Sequence, residues 1–271
     1  MEQKILVAVD FTEVSHNAID AALDIADPAK DTVLLLHIIA SESDRAEAEY
    51  KIKSLVESHT HSGVKISTLV VEGSVLKDIG KIAESAAATL VIFGTHGVHG
   101  FQKMFGSNAL KVVSHTKVPL LIVQKKVSLK SPKHIVMTID LERDSVQVVK
   151  AAASLAERFK SKIHLVAGRH EDPQFKSMVS VNLNVCKEYL TRVHVDHEVH
   201  LLEREHFVDH LFQLCHDIHA ELLAATYYPD TINLFSAKFV EGLVNNRMGI
   251  PVITIDAENT GAGSQFSFIA V

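Results

Sequence analysis

Residues Thr89–Val123 read TLVIFGTHGVHGFQKMFGSNALKVVSHTKVPLLIV, and they decide how the rest of the chain is organised. The stretch opens with an apolar run, Leu90 to Phe93, of strand length. A run that is apolar on both faces suits a buried parallel strand. Gly94, Gly97, Gly100 and Gly106 follow, and the last leads into Ser107 and Asn108. From Ala109 the period changes. Ala109, Leu110, Val112 and Val113 fall on one helical face, with Lys111, Ser114 and His115 on the other. Pro119 then opens a second apolar run, Leu120 to Val123.

The order is strand, glycine-rich loop, helix, strand. A helix N-terminus carries unpaired N–H groups and partial positive charge. Glycines let backbone N–H groups approach a ligand without a Cβ in the way. Together they form an anion site, most often for phosphate. Glycines alone are equally compatible with a flexible loop ending in a helix cap.

The pattern is more specific than its glycines. Gly94-Thr95-His96-Gly97, eight residues, then Gly106-Ser107 resembles the nucleotide loop of the universal stress proteins. That family commonly has Gly, two residues, Gly, nine residues, Gly, then Ser or Thr, so the second gap here is one residue shorter. The resemblance implies an adenine nucleotide, ATP or a relative, with or without magnesium. The adenosine end would sit against residues around the first-strand aspartate and the backbone after the second-strand histidine, which match Ala8, Val9, Asp10 and Ile38. Gly94, Gly97, Gly106, Ser107 and Asn108 match the loop and helix start around the phosphates; Phe93 is a further candidate site residue, and His96 is a candidate phosphate contact that could equally face solvent. Asp10 has a simpler alternative role as a cap on the following helix. His99 reads as loop, and Lys103 as a solvated lysine.

Upstream, Lys4–Val9 is a short apolar strand ending at Asp10, and Thr12 and Ser15 offer caps to a helix carrying Ala18, Ile19, Ala22 and Leu23. Thr32–Ile39 is a second strand, 41–61 an outer helix, Val64–Val71 a third strand, and a further helix runs to Ala87. This alternation predicts an α/β domain with a parallel sheet. After a basic, proline-bearing linker at Lys125–Lys133 the pattern restarts. His134–Ile139 is a strand ending at Asp140. Val146–Phe159, Phe175–Arg192 and Phe207–His219 read as helices, Lys162–Ala167 and Val193–Leu202 as strands, and Glu221–Ala225 and Pro251–Ile255 close the series.

The halves repeat at fixed spacing. Asp10 and Asp140 differ by 130, His37 and His164 by 127, and Leu90 and Leu222, like Pro119 and Pro251, by 132. In this alignment Thr226, Pro229, Lys238 and Phe239 face Gly94, Gly97, Gly106 and Ser107. Three bring a Cβ where close approach is needed, and the proline lacks an N–H. The expected architecture is therefore two tandem doubly wound α/β domains, 1–127 and 131–257, each with a five-stranded parallel sheet, followed by a tail at 258–271. The first keeps the nucleotide loop; the second is degenerate. The resemblance further implies that the last strands pair the two domains into a pseudo-dimer within the chain, with a further homodimer open.

Composition excludes several classes. With 271 residues, 47% hydrophobic, the chain can build one large or two small cores. A net charge of −6 and no basic run argue against nucleic-acid binding. MEQKILVAVD enters a strand directly and no apolar run is long enough to span a bilayer, so a cytoplasmic protein without membrane attachment is expected. Cys186 and Cys215 read as buried thiols. Of 17 histidines the richest segment is His194–His219. There His194, Asp196, Glu198 and His200 would share one strand face, but no full zinc signature appears and a metal is not expected. No P-loop lysine motif or nucleophile elbow is present, so no catalytic residue is expected and at most slow ATP hydrolysis. The function implied is a nucleotide-binding stress-response or regulatory protein with one site, in the first half, and an unknown protein partner. The alternatives are a nucleotide-independent interaction scaffold and a histidine-rich metal sensor.

Overall fold

A computed structural model describes residues 3–95, 116–228 and 237–257. The chain divides into two compact units. One runs to Lys130 and includes Val244–Pro251; the other comprises Ser131–Leu243 and the chain from Val252.

The first unit is built from β1 (Lys4–Ala8), α1 (Glu13–Ile25), β2 (Thr32–Ile39), α2 (Arg45–His59), β3 (Lys65–Glu72), α3 (Val75–Ser85), β4 (Leu90–Gly94) and β5 (Leu120–Val123). Its strands are parallel and ordered β3-β2-β1-β4-β5. The order reverses between β1 and β4, the switch point where ligands bind in open α/β sheets. Ile5, Leu6 and Val7 of β1, every residue of β4 and every residue of β5 are buried. Burial on both faces is why these strands are continuous apolar runs rather than alternating ones. Ala18, Ile19, Ala22 and Ile25 form the buried stripe of α1.

The second unit has β6 (His134–Ile139), α4 (Val149–Phe159), β7 (Lys162–Gly168), α5 (Pro173–Arg192), β8 (His197–Leu202), α6 (Phe207–Asp217), β9 (Leu222–Tyr227), α7 (Ala237–Val244) and β10 (Val252–Asp256). Its parallel order, β8-β7-β6-β9-β10, matches the first. Ile5 stands opposite Leu90 and Ile135 opposite Leu222; Val91 stands opposite Leu120 and Leu223 opposite Val252. The spacings of 130 and 132 are thus spacings of register. No helix among the described residues is long and apolar enough to cross a membrane. Cys186 and Cys215 are buried free thiols, and burial pushes each up to about 12.

Three expectations change. His37 and His164 are not counterparts: Ala8 faces Leu36 while Thr138 faces Val166, so His164 occupies the place of Leu34. The strand expected from Val193 begins at His197, because Val193 caps α5 and His194 turns the chain with φ of 57°. His194 and Asp196 therefore precede β8 and do not extend a stripe with Glu198 and His200. Before α4, residues Arg143–Val146 form a separate 3₁₀ turn.

Candidate functional site

Six sequence-predicted residues meet at the carboxyl ends of the central strands. Ala8, Val9, Asp10, Ile38, Phe93 and Gly94 all line one cleft. Backbone pairing sets their places, with Ala8 opposite Phe93 on one side and Leu36 on the other. The Val9 N–H donates to the Leu36 carbonyl at 2.8 Å, and His37 Nδ1 donates to the Val9 carbonyl at 2.7 Å. The second-strand histidine thus fixes the backbone just before Asp10.

Asp10 is half-buried at the mouth. Its Oδ1 accepts the Thr12 N–H at 3.0 Å and the Thr12 hydroxyl. Thr12 stands at the N-cap position of α1 but makes no side-chain cap bond, because its hydroxyl is turned to Asp10. The carboxylate therefore shapes the turn ahead of the helix and does not cap the helix itself. Between them Phe11 has φ of 64°, a conformation costly for a side chain with a Cβ. Its ring lies 4.4 Å from that of His37, with the Lys51 ammonium 5.7 Å from its centroid.

Ser15, Leu36, Val75 and Ile79 complete the lining. The part contributed by α3 was not foreseen. Ile79 is legible as a core position by its helical period, but not as cleft wall. The cleft encloses about 50 Å³. His96, Gly97, Gly106, Ser107 and Asn108, together with His99, Lys103 and the helix expected from Ala109, lie outside the described residues. The next residue after Gly94, Thr95, is fully buried. Its N–H donates to Val123, and its hydroxyl has no partner among the described residues.

The second unit carries different residues at the corresponding place. Asp140 Oδ1 accepts the Glu142 N–H at 2.8 Å, repeating the Asp10–Thr12 turn. Thr226, in the place of Gly94, is buried and donates to the Ser145 carbonyl. Lys238 is exposed on α7, while Phe239 turns inward with its ring 6.3 Å from Phe207. Phe207 opens α6 where Val75 opens α3. Phe207 thus holds the helix position that Val75, a cleft residue, holds in the first unit.

The Asp140 carboxyl and the Ser145 and Tyr228 hydroxyls come together there in the buried interior. Burial raises Asp140 to about 7, against the opposing pull of the Glu142 N–H. A carboxyl raised in the folded state from its ordinary 3.8 holds its proton more tightly there. Its contribution to stability is full below about pH 4 and is lost as pH rises toward 7. Asp140→Asn removes that loss. The variant should gain about 1–3 kcal/mol on wild type between pH 4 and pH 8, at about 1.4 kcal/mol per unit with a discount for relaxation. Urea unfolding at the two pH values measures it, and equal differences at both would contradict a raised Asp140.

The sequence matches a family model described as "Universal stress protein family" over residues 1–124. Universal stress protein G of Escherichia coli O157:H7 is 30% identical over 97 residues, which cover 34% of this chain and 68% of that protein. A universal stress protein of Methanocaldococcus jannaschii is 27% identical over 140 residues, covering 45% of this chain and 82% of the relative. Among solved structures, a universal stress protein from Archaeoglobus fulgidus covers 94% of this chain and 98% of its own, with a TM-score of 0.75 at 16% identity. A functionally unknown protein from Pseudomonas aeruginosa PAO1 covers 95% and 94%, with a TM-score of 0.64 at 13% identity. At those identities the two structures bear on the fold alone. The strand–loop–helix pattern, the parallel sheet and the sequence relatives agree: this chain belongs to the universal stress protein family.

Proposed function

We propose that the first unit binds an adenine nucleotide, ATP or a close relative, as a stress-response or regulatory ligand, and that the second unit binds none. The observation that carries this is the convergence of Ala8, Val9, Asp10, Ile38, Phe93 and Gly94 on one cleft at the sheet's switch point. Apolar walls from Ile38, Val75, Ile79 and Phe93 suit a base, and the Asp10 carboxylate suits a ribose hydroxyl. From Gly94 the chain continues into Gly97 and Gly106-Ser107-Asn108, whose N–H groups and hydroxyl would meet the phosphates, with His96 beside them. A magnesium ion would bind through the phosphates. Among the described cleft residues none is positioned as a general base, and slow hydrolysis is the most turnover this reading implies.

At about 50 Å³ the cleft is smaller than ordinary ligand pockets, which run roughly 300–1,000 Å³. Calorimetry with ATP, ADP and AMP, each with and without magnesium, tests the proposal on the purified chain. One equivalent bound is expected, and absence of binding by all three would overturn it.

A further inference from the structure

Three histidines from three neighbouring strands of the second unit form one row. His134 Nδ1 lies 3.0 Å from His164 Nε2, and His164 Nδ1 lies 2.9 Å from His200 Nε2. Glu198 stands directly opposite His164 across the β7–β8 pair. Ligand atoms of His164, Glu198 and His200 all lie within 4.8 Å of one another. His164 is buried, His200 half-buried and Glu198 exposed, so the group opens from the sheet toward solvent.

The fold does not require these residues. By strand register, the first unit carries Lys4, Leu34, Ser67 and Leu69 where the second carries His134, His164, Glu198 and His200. The same sheet is made there with leucines at both inner positions. A buried imidazole in place of a leucine loses hydration, and neutral imidazole–imidazole hydrogen bonds return little net stability. Packing alone therefore gives no reason for the row.

We propose that His164, His200 and Glu198 form a binding site for a divalent first-row transition ion, zinc foremost, with water in the fourth position. Two nitrogens bound to one tetrahedral zinc stand about 3.3 Å apart, given Zn–N bonds of about 2.0–2.1 Å. The His164–His200 pair is within about 0.4 Å of that separation. With His164 Nδ1 on the metal, its Nε2–H donates to His134 Nδ1, the outer contact that orients ligating histidines. Two imidazoles and one carboxylate favour zinc over magnesium or calcium, which take oxygen ligands. Glu198 now pairs with the Lys162 ammonium at 2.8 Å, so a bound ion would displace or share that cation's partner.

The test uses the full chain, freed of metal with chelator and titrated with zinc chloride by calorimetry, and with cobalt chloride by visible absorption. One tight equivalent and a tetrahedral cobalt spectrum are expected in the wild type. Glu198→Ser with His200→Leu copies the first unit and should keep the fold while removing that equivalent. His134→Phe should weaken it by about 10–100-fold, the usual effect of losing an orienting partner. Wild type that takes up no zinc, or a double variant that retains its zinc stoichiometry and affinity, would overturn the site. Far-ultraviolet circular dichroism on each variant separates lost binding from lost fold.

Discussion

Gly94→Val should loosen or unfold the first unit, and Gly94→Ala should already cost about 3 kcal/mol or more, at or above the usual range for overpacking a core. A Cβ built on Gly94 would lie 2.2 Å from the Val14 carbonyl oxygen and 2.5 Å from its carbon. The atoms it meets are backbone in the first turn of α1, so no rotamer change relieves the contact. Either β4 or α1 must move, and moving α1 withdraws Ala18, Ile19 and Ala22 from the core. Gly73→Ala is the control. Its Cβ would meet the end of the Asp78 side chain at 2.7 Å, which can swing away at the loss of its bond from the Ser74 N–H, so its cost should stay at about 1 kcal/mol. Urea midpoints for the two variants measure the contrast, and a Gly94→Ala cost under 1 kcal/mol would show that the helix yields freely.

That result bears on how Gly94 is understood. In the sequence it reads as the first glycine of a phosphate loop. In the fold it is the place where a helix crosses a strand too closely for any side chain. Both roles can hold, but lost nucleotide binding in a Gly94 variant would not report on phosphate contact. The question has to be put to Gly106 and Ser107.

The strands were legible because burial on both faces leaves runs such as LVIF and LLIV with few polar interruptions. The cleft residues on β1 and β4 were legible because the switch point follows from strand order. Register was not. His37 and His164 look equivalent in sequence, yet pairing shifts them by three positions, and only backbone hydrogen bonds decide that. The stripe from His194 to His200 failed for a related reason, since a helix end consumed its first members. The row of His134, His164 and His200 spans separations of 30 and 36 residues, so no local spacing could disclose it. Phe11 was likewise invisible: nothing in its neighbours demands a positive φ from a phenylalanine.

Gly106→Lys with Ser107→Phe should abolish nucleotide binding while leaving the first unit folded, and the unmodified chain should bind one nucleotide. The pair of changes copies what the second unit carries at Lys238 and Phe239. There the lysine is exposed and the phenylalanine is buried near Phe207, with α7 intact, so the substitution is compatible with this kind of helix start. In the first unit the partner position is Val75, which lines the cleft, and a ring brought there would take up space the ligand needs. The loss combines that exclusion with the removal of close backbone approach and of a hydroxyl donor. Charge-assisted bonds of this type contribute roughly 1.5–3 kcal/mol each, so two lost together should weaken binding by several kcal/mol. The reverse change, Lys238→Gly with Phe239→Ser, should not create a second site. Pro229 offers no N–H, Thr226 keeps its Cβ, and buried Phe207 stands where the first unit has Val75. It should instead destabilise the second unit by about 3–5 kcal/mol, the cost of truncating a buried phenylalanine. Calorimetric stoichiometry decides the first claim and urea unfolding the second. Two equivalents bound by the wild type, or unchanged affinity in the Gly106–Ser107 double variant, would mean the phosphates are held elsewhere.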